Sequence, residues 1–532
     1  MKPLPIGIQN FKEIIEGGYV YVDKTRYIYE LLNDAKYYFL SRPRRFGKSL
    51  LLDTIGEVLK GNKELFKGLW IYDTEYKFVK HPVIRLDMSN IPNETPDTLK
   101  DSLFTELRKR IDTEEINIPA GHPADMFKHL VESLYAKYGQ RAVVLIDEYD
   151  KPILDHLKNF DVAEANREVL RGFYGVLKSM DPYLRLTFIT GVTKFTRTTI
   201  FSGLNNLLDI TLLDDYANIC GITTDDLKRL FSDYINDLSN RKGFENIDSV
   251  YDEILNWYDG YSWDGESRVI NPFSLLSFFR QRRFAGFWYA SGTPGFLIDM
   301  IKKDPDLYAN HNKSKLTEFT LDAADLKKLD PESLMFQSGY LTIDKIDYAR
   351  RPPVYELVMP NLEVREAFNL HVISGFTESG DTKAQLAKIE MEDALHSGDM
   401  EALRKILKSL FASIPYKLHV DREAYYHSIF YAIMTVLGFN INAEVAVFKG
   451  RIDAVLELSD KAYVIEFKYV KSEPHDTEEE KLHLQNKALE DGMAQIKSRG
   501  YHDKYAGSGK TIYLAAFAFL GRDGVEMRIE TI

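Results

Sequence analysis

The sequence predicts an α/β chain with three parts: a parallel sheet wrapped by helices in residues 1–215, a mostly helical middle, and a C-terminal domain of order α-β-β-β-α-β. Three observations predict it. Short apolar runs alternate with helical patterns as far as Thr211, the signature of strands buried under helices. From about Asp225 to Lys303 the pattern turns mostly helical. From Asn442 onward, three strand-like segments follow one another before a long helical stretch and a last strand. Length agrees with several domains, since 532 residues make three or four at about 150 each.

The candidate strands of the first part are Tyr37 to Ser41, Pro82 to Asp87, Ala142 to Asp147, Leu184 to Thr190 and Leu208 to Thr211, with helices such as Ser49 to Leu59 and Ala163 to Met180 between them. In the middle, Trp257 to Gly265 is a turn-rich interruption. Asp330 to Phe336 reads as helix, and Tyr340 to Ile346 and Val354 to Val358 as extended, which suits a small winged-helix module. Thr377 to Thr382, with Gly380, is the linker candidate, and Ala384 to Phe411 is one amphipathic helical stretch. At the end come helix Glu423 to Leu437, strands Asn442 to Phe448, Gly450 to Leu458 and Ala462 to Tyr469, helix Glu478 to Ser498, and strand Lys510 to Leu520.

Composition narrows the function classes. Hydrophobic residues are 45% and charged residues 28%, which excludes a disordered tail, a collagen-like chain and a simple coiled coil. Lys plus Arg is 68 against 80 for Asp plus Glu, a net charge of −12, so no nucleic-acid footprint covers the whole molecule, although local basic patches can hide under that average. The lone cysteine, Cys220, cannot form an internal disulfide and points to a reducing compartment. Met1-Lys2-Pro3-Leu4-Pro5 is no signal peptide, and the best apolar run, Thr511 to Leu520, is too short to span a bilayer. The expectation is a soluble cytoplasmic protein without membrane contact.

One constellation suits phosphate. The strand ending Phe39-Leu40-Ser41 is followed by Arg42-Pro43-Arg44-Arg45-Phe46-Gly47-Lys48-Ser49, and a helical pattern begins at Leu50. Glycine lets backbone N–H groups curl around phosphates at a helix N-terminus. Lys48 would reach the β- and γ-phosphates, and the Ser49 hydroxyl would ligate Mg²⁺. Only Gly47-Lys48-Ser49 matches such a loop strictly, because Arg42 stands at its first glycine position, and alone the tripeptide could be a basic surface turn. Two further elements, in the right order, argue against that. Asp147 ends an apolar strand where it could hold Mg²⁺ through water, and Glu148 beside it could polarise an attacking water. Thr190 or Thr193, at the tip of a third strand, could sense the γ-phosphate. Lys194 and Arg197 follow, either as transition-state cations or as solvated charges.

The second constellation suits a divalent metal. Period-two alternation puts Glu466 and Lys468 on one face of a strand and Ile465 and Phe467 on the other. For Asp453 to share that face, an odd position must pair with an even one, so the connection must hold an even number of residues, such as Ser459-Asp460. Two converging carboxylates make a hard-oxygen site for Mg²⁺. Such a metal lowers the pKa of a bound water and neutralises a scissile phosphate. Lys468 can orient that water or stabilise developing charge. The plainer alternative is the charged outer face of an antiparallel sheet. Glu423 and His427, a helical turn apart, could reach the metal and a phosphate. Gln495 could touch the site as well, although a helix-surface glutamine is the plainer reading.

These residues resemble a known pairing. Tyr21-Val22-Asp23-Lys24-Thr25, Arg42 to Ser49, Leu145-Ile146-Asp147-Glu148-Tyr149-Asp150-Lys151-Pro152, Gly191-Val192-Thr193-Lys194-Phe195 and Trp257-Tyr258-Asp259-Gly260-Tyr261 resemble the AAA-ATPase-like family of prokaryotic P-loop proteins, in which arginine at the Arg42 position is usual. Tyr426-His427, Gly450-Arg451-Ile452-Asp453, Ile465-Glu466-Phe467-Lys468, and Ala488-Leu489 with Gln495-Ile496 before Gly500-Tyr501 resemble the PD-(D/E)XK nuclease superfamily. Between the two matching parts, the residue pattern itself reads as a helical lid-like region over 216–310 and a winged-helix-like and helical connector over 311–410. The resemblance implies a P-loop ATPase domain over 1–215 and a restriction-endonuclease-like domain over 411–532. It implies ATP and Mg²⁺ as cofactors. Arg42, Arg44, Arg45, Phe46, Gly47, Lys48, Ser49, Asp147 and Thr190 would bind the nucleotide. Ser49, Asp147, Asp453 and Glu466 would bind metal, and Glu148, Asp453, Glu466 and Lys468 would do the chemistry. The expected partner is nucleic acid, with DNA ranked ahead of RNA. A homo-oligomer stays open, as does the rival of a nucleotide-dependent switch whose nuclease-like fold binds without cutting.

Overall fold

The computed structural model describes residues 1–194, 200–201, 204, 206–240, 246–288, 314–321, 330–377, 380–412, 440–447, 450–471, 475–505, 508–520 and 525–532. Contacts divide the chain into two compact units, Met1–Ala290 with Lys313–Leu362, and Ser291–Asn312 with Glu363–Ile532.

In the first unit, β1 (Tyr37–Ser41), β2 (Val83–Asp87), β3 (Ala142–Asp147), β4 (Leu184–Gly191) and β5 (Leu208–Asp209) form one parallel sheet in the order β2-β3-β4-β1-β5. Every residue of β1 and β3 is buried, which is why these strands read as unbroken apolar runs rather than alternations. The register brings the carboxyl ends level, with Ser41 beside Gly191 and Asp87 beside Asp147. β4 lies between the strand that ends at Ser41 and the strand that ends at Asp147. A ligand of such a sheet sits in the crevice outside these ends.

Helices Thr224–Leu230, Ser232–Ser239, Ile247–Tyr258 and Pro272–Gln281 share a core of Leu227, Phe231, Ile254, Tyr258, Leu275 and Phe278. A smaller antiparallel sheet has the order β6-β8-β7, from β6 (Ser314–Thr317), β7 (Thr342–Asp347) and β8 (Val354–Val358). Helix Pro331–Ser338 precedes β7; Asp330 caps its start, accepting from Ser333 N–H at 2.8 Å, and Gly339 ends it at φ +94°.

In the second unit, the stretch expected as helical from Ala384 to Phe411 consists of two helices, Gly380–Ser397 and Met400–Ala412. Gly398 at φ +76° stops the first, and the Asp399 carboxylate caps the second by accepting from Ala402 N–H at 3.0 Å. The expected linker Thr377 to Thr382 is divided between the end of helix Leu362–Thr377 and the start of the next, with 378–379 outside the described residues.

β9 (Asn440–Val447), β10 (Gly450–Glu457), β11 (Lys461–Val470), β12 (Thr511–Leu520) and β13 (Val525–Thr531) form a sheet of order β13-β12-β11-β10-β9. Only β11 and β12 run parallel, and helix Glu478–Ser498 makes that crossover. Leu489, Met493 and Ile496 of this helix join Val455, Val464, Leu514 and Ala516 of the strands in one core. β13 adds a strand to the expected order, and helix Glu423 to Leu437 lies outside the described residues. Among the described residues, no helix is long and apolar enough to cross a membrane.

Candidate functional site

The first site forms where β1 turns into helix Lys48–Leu59. Gly47 takes φ +88°, and among the described residues other than its chain neighbours no heavy atom lies within 4 Å of where a Cβ would stand. A left-handed glycine with open space among the described residues, at the N-terminus of a twelve-residue helix, is a cradle that fits a phosphate. Lys48 is buried, and its Nζ donates to the carbonyls of Arg42 at 2.8 Å and Pro43 at 2.9 Å. Burial lowers the pKa of its ammonium, while Glu148 and Asp147 oppose that shift.

The rest of the loop is held from outside. Arg42 is fully buried; its guanidinium donates to the carbonyls of Ser41 and Thr211 at 2.9 Å and Tyr216 at 3.1 Å, and lies 4.0 Å from the Trp263 ring centre. That makes Arg42 an anchor of the loop; its guanidinium is already committed to carbonyls. Phe46 packs edge-on against Tyr261 at 4.7 Å and Trp263 at 5.4 Å. Arg45 takes φ +69°, is exposed and stacks on Phe273 at 4.9 Å, whereas half-buried Arg44 lies close enough to Glu148 to pull its pKa down.

The acidic side of the crevice comes from β3. Buried Asp147 accepts from Thr190 Oγ1 at 2.7 Å, so the tip of β4 fixes one carboxylate oxygen. Glu148 sits at φ +48°, a strained conformation for a residue with a side chain. Burial raises its pKa, and Lys48 is the main opposing charge. Buried Asp150 accepts from Val192 N–H at 3.2 Å and Thr193 N–H at 2.7 Å. Lys194 is buried and paired with Asp209 at 2.9 Å, and Arg197 lies outside the described residues.

Arg85 was not anticipated. It projects from edge strand β2 to donate to Asp53 Oδ1 at 2.7 Å and to the Ser49 carbonyl at 3.2 Å, and stands 3.8 Å from Asp147 Oδ2. Its signal in the sequence was a lone cation interrupting the apolar run of Val83–Asp87. An apolar cavity of about 100 Å³ opens beside Gly47 and Leu50, walled by Val20, Val22, Ile222 and Leu276.

The second site lies on β10 and β11. Ala454 pairs with Ile465 and Glu457 with Ala462, odd positions with even or the reverse, and Leu458 N–H donates to the Lys461 carbonyl around the two-residue turn Ser459-Asp460. The same register extended one step sets Asp453 across from Glu466. Asp453 Oδ2 accepts from Phe467 N–H at 2.8 Å. Lys468 Nζ lies 2.9 Å from Glu466 Oε1 and 2.8 Å from Gln495 Oε1. The glutamine read from sequence as a surface residue is therefore the third member of a polar chain. Gly492, one helical turn earlier, lets the helix pass close: a Cβ there would lie 3.1 Å from Ala516 Cβ and 3.6 Å from Lys468 Cγ.

Glu466 is almost fully buried, and among the described residues its Oε2 has no hydrogen-bond partner. Burial, reinforced by the charge of Asp453, pushes its pKa up to about 7. An orphaned carboxylate oxygen beside a second carboxylate fits a hard divalent cation, which would supply the missing partner. Among the described residues no third His, Cys, Asp or Glu joins them, and Glu423 and His427 lie outside those residues.

Residues 5–201 match the AAA-ATPase-like family, whose description is a predicted AAA-ATPase, and residues 421–528 match the PD-(D/E)XK nuclease superfamily. Over 525 residues the chain is 36% identical to a protein of Azotobacter chroococcum mcd 1 called "Uncharacterized protein in vnfD 5'region", covering 97% of this chain and 96% of that one.

Proposed function

Because the chain belongs to the family that joins an AAA-ATPase-like domain to a C-terminal PD-(D/E)XK nuclease superfamily domain, we propose that it binds and hydrolyses ATP in its first unit and cuts nucleic-acid phosphodiesters with Mg²⁺ in its second. The observation that carries the nuclease reading is the buried Glu466 Oε2, without a hydrogen-bond partner among the described residues, on a carboxylate that faces Asp453 and is bonded to Lys468. A carboxylate in that position is costly unless something charged comes to it.

Asp453 and Glu466 would hold the metal, which when bound makes a water nucleophilic and screens a phosphate. Phe467 N–H fixes the rotamer of Asp453. Gln495 holds the Lys468 ammonium beside Glu466, where a cation would stabilise charge developing on a phosphate in attack. In the first unit, Ser49 and Asp147 would hold Mg²⁺ with ATP, and Thr190 keeps Asp147 oriented. Lys48 would exchange its two loop carbonyls for phosphate oxygens. Glu148, raised by burial, would accept a proton from the attacking water. The apolar cavity beside Gly47 would receive an edge of the base.

The rival, a nucleotide-dependent switch whose nuclease-like unit binds without cutting, draws support from the net charge of −12. Incubating DNA and RNA with the purified chain and Mg²⁺, with and without ATP, separates the two. The expected result is cleavage by the wild-type chain and loss of at least about a hundredfold in Lys468→Ala. Equal cleavage by both removes this site from the chemistry, and no cleavage with Mg²⁺ or Mn²⁺ favours the switch.

A further inference from the structure

The loop after β4 is tied to a helix far away in sequence. Lys194 N–H donates to Gln337 Oε1 at 2.7 Å, and the Gln337 amide donates on to the Leu321 carbonyl at 2.7 Å and to Ser333 Oγ at 3.2 Å. Gln337 is buried, so each of these bonds replaces water that cannot reach it. Two residues on, Gly339 presses against the phosphate-binding loop: a Cβ there would lie 2.8 Å from Pro43 Cβ. Next, Thr342 exchanges two hydrogen bonds with Ser262, accepting from its N–H at 2.6 Å and donating to its carbonyl at 3.0 Å. Ser262 stands between Tyr261 and Trp263, the two rings against Phe46. Residues 337–342 thus grip both walls of the nucleotide crevice, the loop at Pro43 and the β4 tip at Lys194.

The β4 tip is where nucleotide state has to register. It lies between β1, which leads into the loop, and β3, which ends at Asp147, so it borders both the residues that would hold the γ-phosphate and the carboxylate that would hold Mg²⁺. Asp150 and Tyr149 pin the same segment from just after β3, through Thr193 N–H at 2.7 Å and from the Tyr149 hydroxyl to the Thr193 carbonyl at 3.0 Å. Gln337 supplies the hold from the other side.

We infer that Gln337 is a positioning residue for nucleotide turnover, which fixes the β4 tip through Lys194 N–H and carries its state into helix Pro331–Ser338. This rests on the nucleotide reading above and adds to it a residue well outside the matched 5–201 stretch. The crevice contacts come from the end of helix Pro331–Ser338 and the first residue of β7, and the chain passes to the second unit at Leu362, shortly after β8.

The test uses the full chain with Gln337→Met, which loses both the acceptor and the donor, and Gln337→Glu, which keeps the acceptor for Lys194 N–H. ATP binding, phosphate release and amide exchange of residues 331–342 are measured with and without ATP and Mg²⁺. The expected result is a kcat about tenfold lower in Gln337→Met at nearly unchanged KM, with Gln337→Glu recovering most of it. Exchange of 331–342 should slow with ATP in the wild type and not in Gln337→Met. Wild-type turnover in Gln337→Met overturns the inference. So does equal loss in both variants, or a 331–342 segment in the wild type that ignores bound ATP. A wild-type chain that binds no nucleotide overturns the proposed function itself, and this inference with it.

Discussion

Replacing Glu466 by glutamine should make the metal-free protein more stable and deaf to Mg²⁺. The size of the effect follows from the burial of the carboxyl. Moving its pKa from 4.5 to about 7 means that charging it in the fold costs about 3 kcal/mol more than charging it in water. The sign runs with pH. Below the unfolded value of 4.5 the group is neutral in both states and costs nothing. As pH rises toward 7 the unfolded chain releases its proton first, so stability falls; above about 7 the whole cost is present. Glutamine keeps the shape and an acceptor for Lys468 but carries no charge to bury. Thermal unfolding in EDTA should therefore show Glu466→Gln close to wild type at about pH 4 and more stable by up to about 3 kcal/mol at about pH 8. For a unit of this size that is several degrees in Tm. Mg²⁺ should raise the wild-type Tm at about pH 8 and leave the variant unmoved, because the metal supplies the partner that Oε2 lacks. Identical pH profiles for the two proteins would refute the argument from burial, and an equal Mg²⁺ response would refute the metal assignment.

Mg²⁺ affinity in the wild type should also weaken below about pH 7, by up to about tenfold per unit, because the cation must displace the Glu466 proton; isothermal titration across that range checks it. Glu148→Gln should bind a fluorescent ATP analogue within about threefold of wild type yet release phosphate about a hundredfold or more slowly, since only the proton acceptor is lost. Trp263→Ala should destabilise the first unit by about 3–5 kcal/mol in thermal melts and weaken ATP binding with it, because it removes the face under Arg42 and a wall of Phe46 together.

The contrast between Lys48 and Arg42, six residues apart, shows where the sequence stops being readable. Strands β1 and β3 were legible to the residue because helices bury them, leaving apolar runs with a sharp polar end. The shared face of Asp453 and Glu466 was legible because side-chain parity and a two-residue turn leave one register. β13 was written just as openly, in the alternation Val525-Glu526-Met527-Arg528-Ile529-Glu530-Thr531, but an edge strand shows only half an apolar pattern and was passed over. Local chemistry named Lys48 and Asp147, at a loop end and a strand tip, and Glu466, a charge alternating with apolar neighbours inside β11. Partners drawn from far along the chain were invisible. Arg42 looks like a defect in a glycine loop until Thr211, Tyr216 and Trp263 are seen around it, and Gln337 has no local pattern at all. These are not incidental supports. A loop without its first glycine forgoes part of the backbone freedom that lets such loops shape themselves around phosphate. The lost freedom is replaced by rigid contacts from 261–263 and 337–342, residues that lie beyond the stretch matched as an ATPase. A fragment ending near residue 201 should therefore be a poorer nucleotide binder than the whole chain, whatever its own motifs suggest.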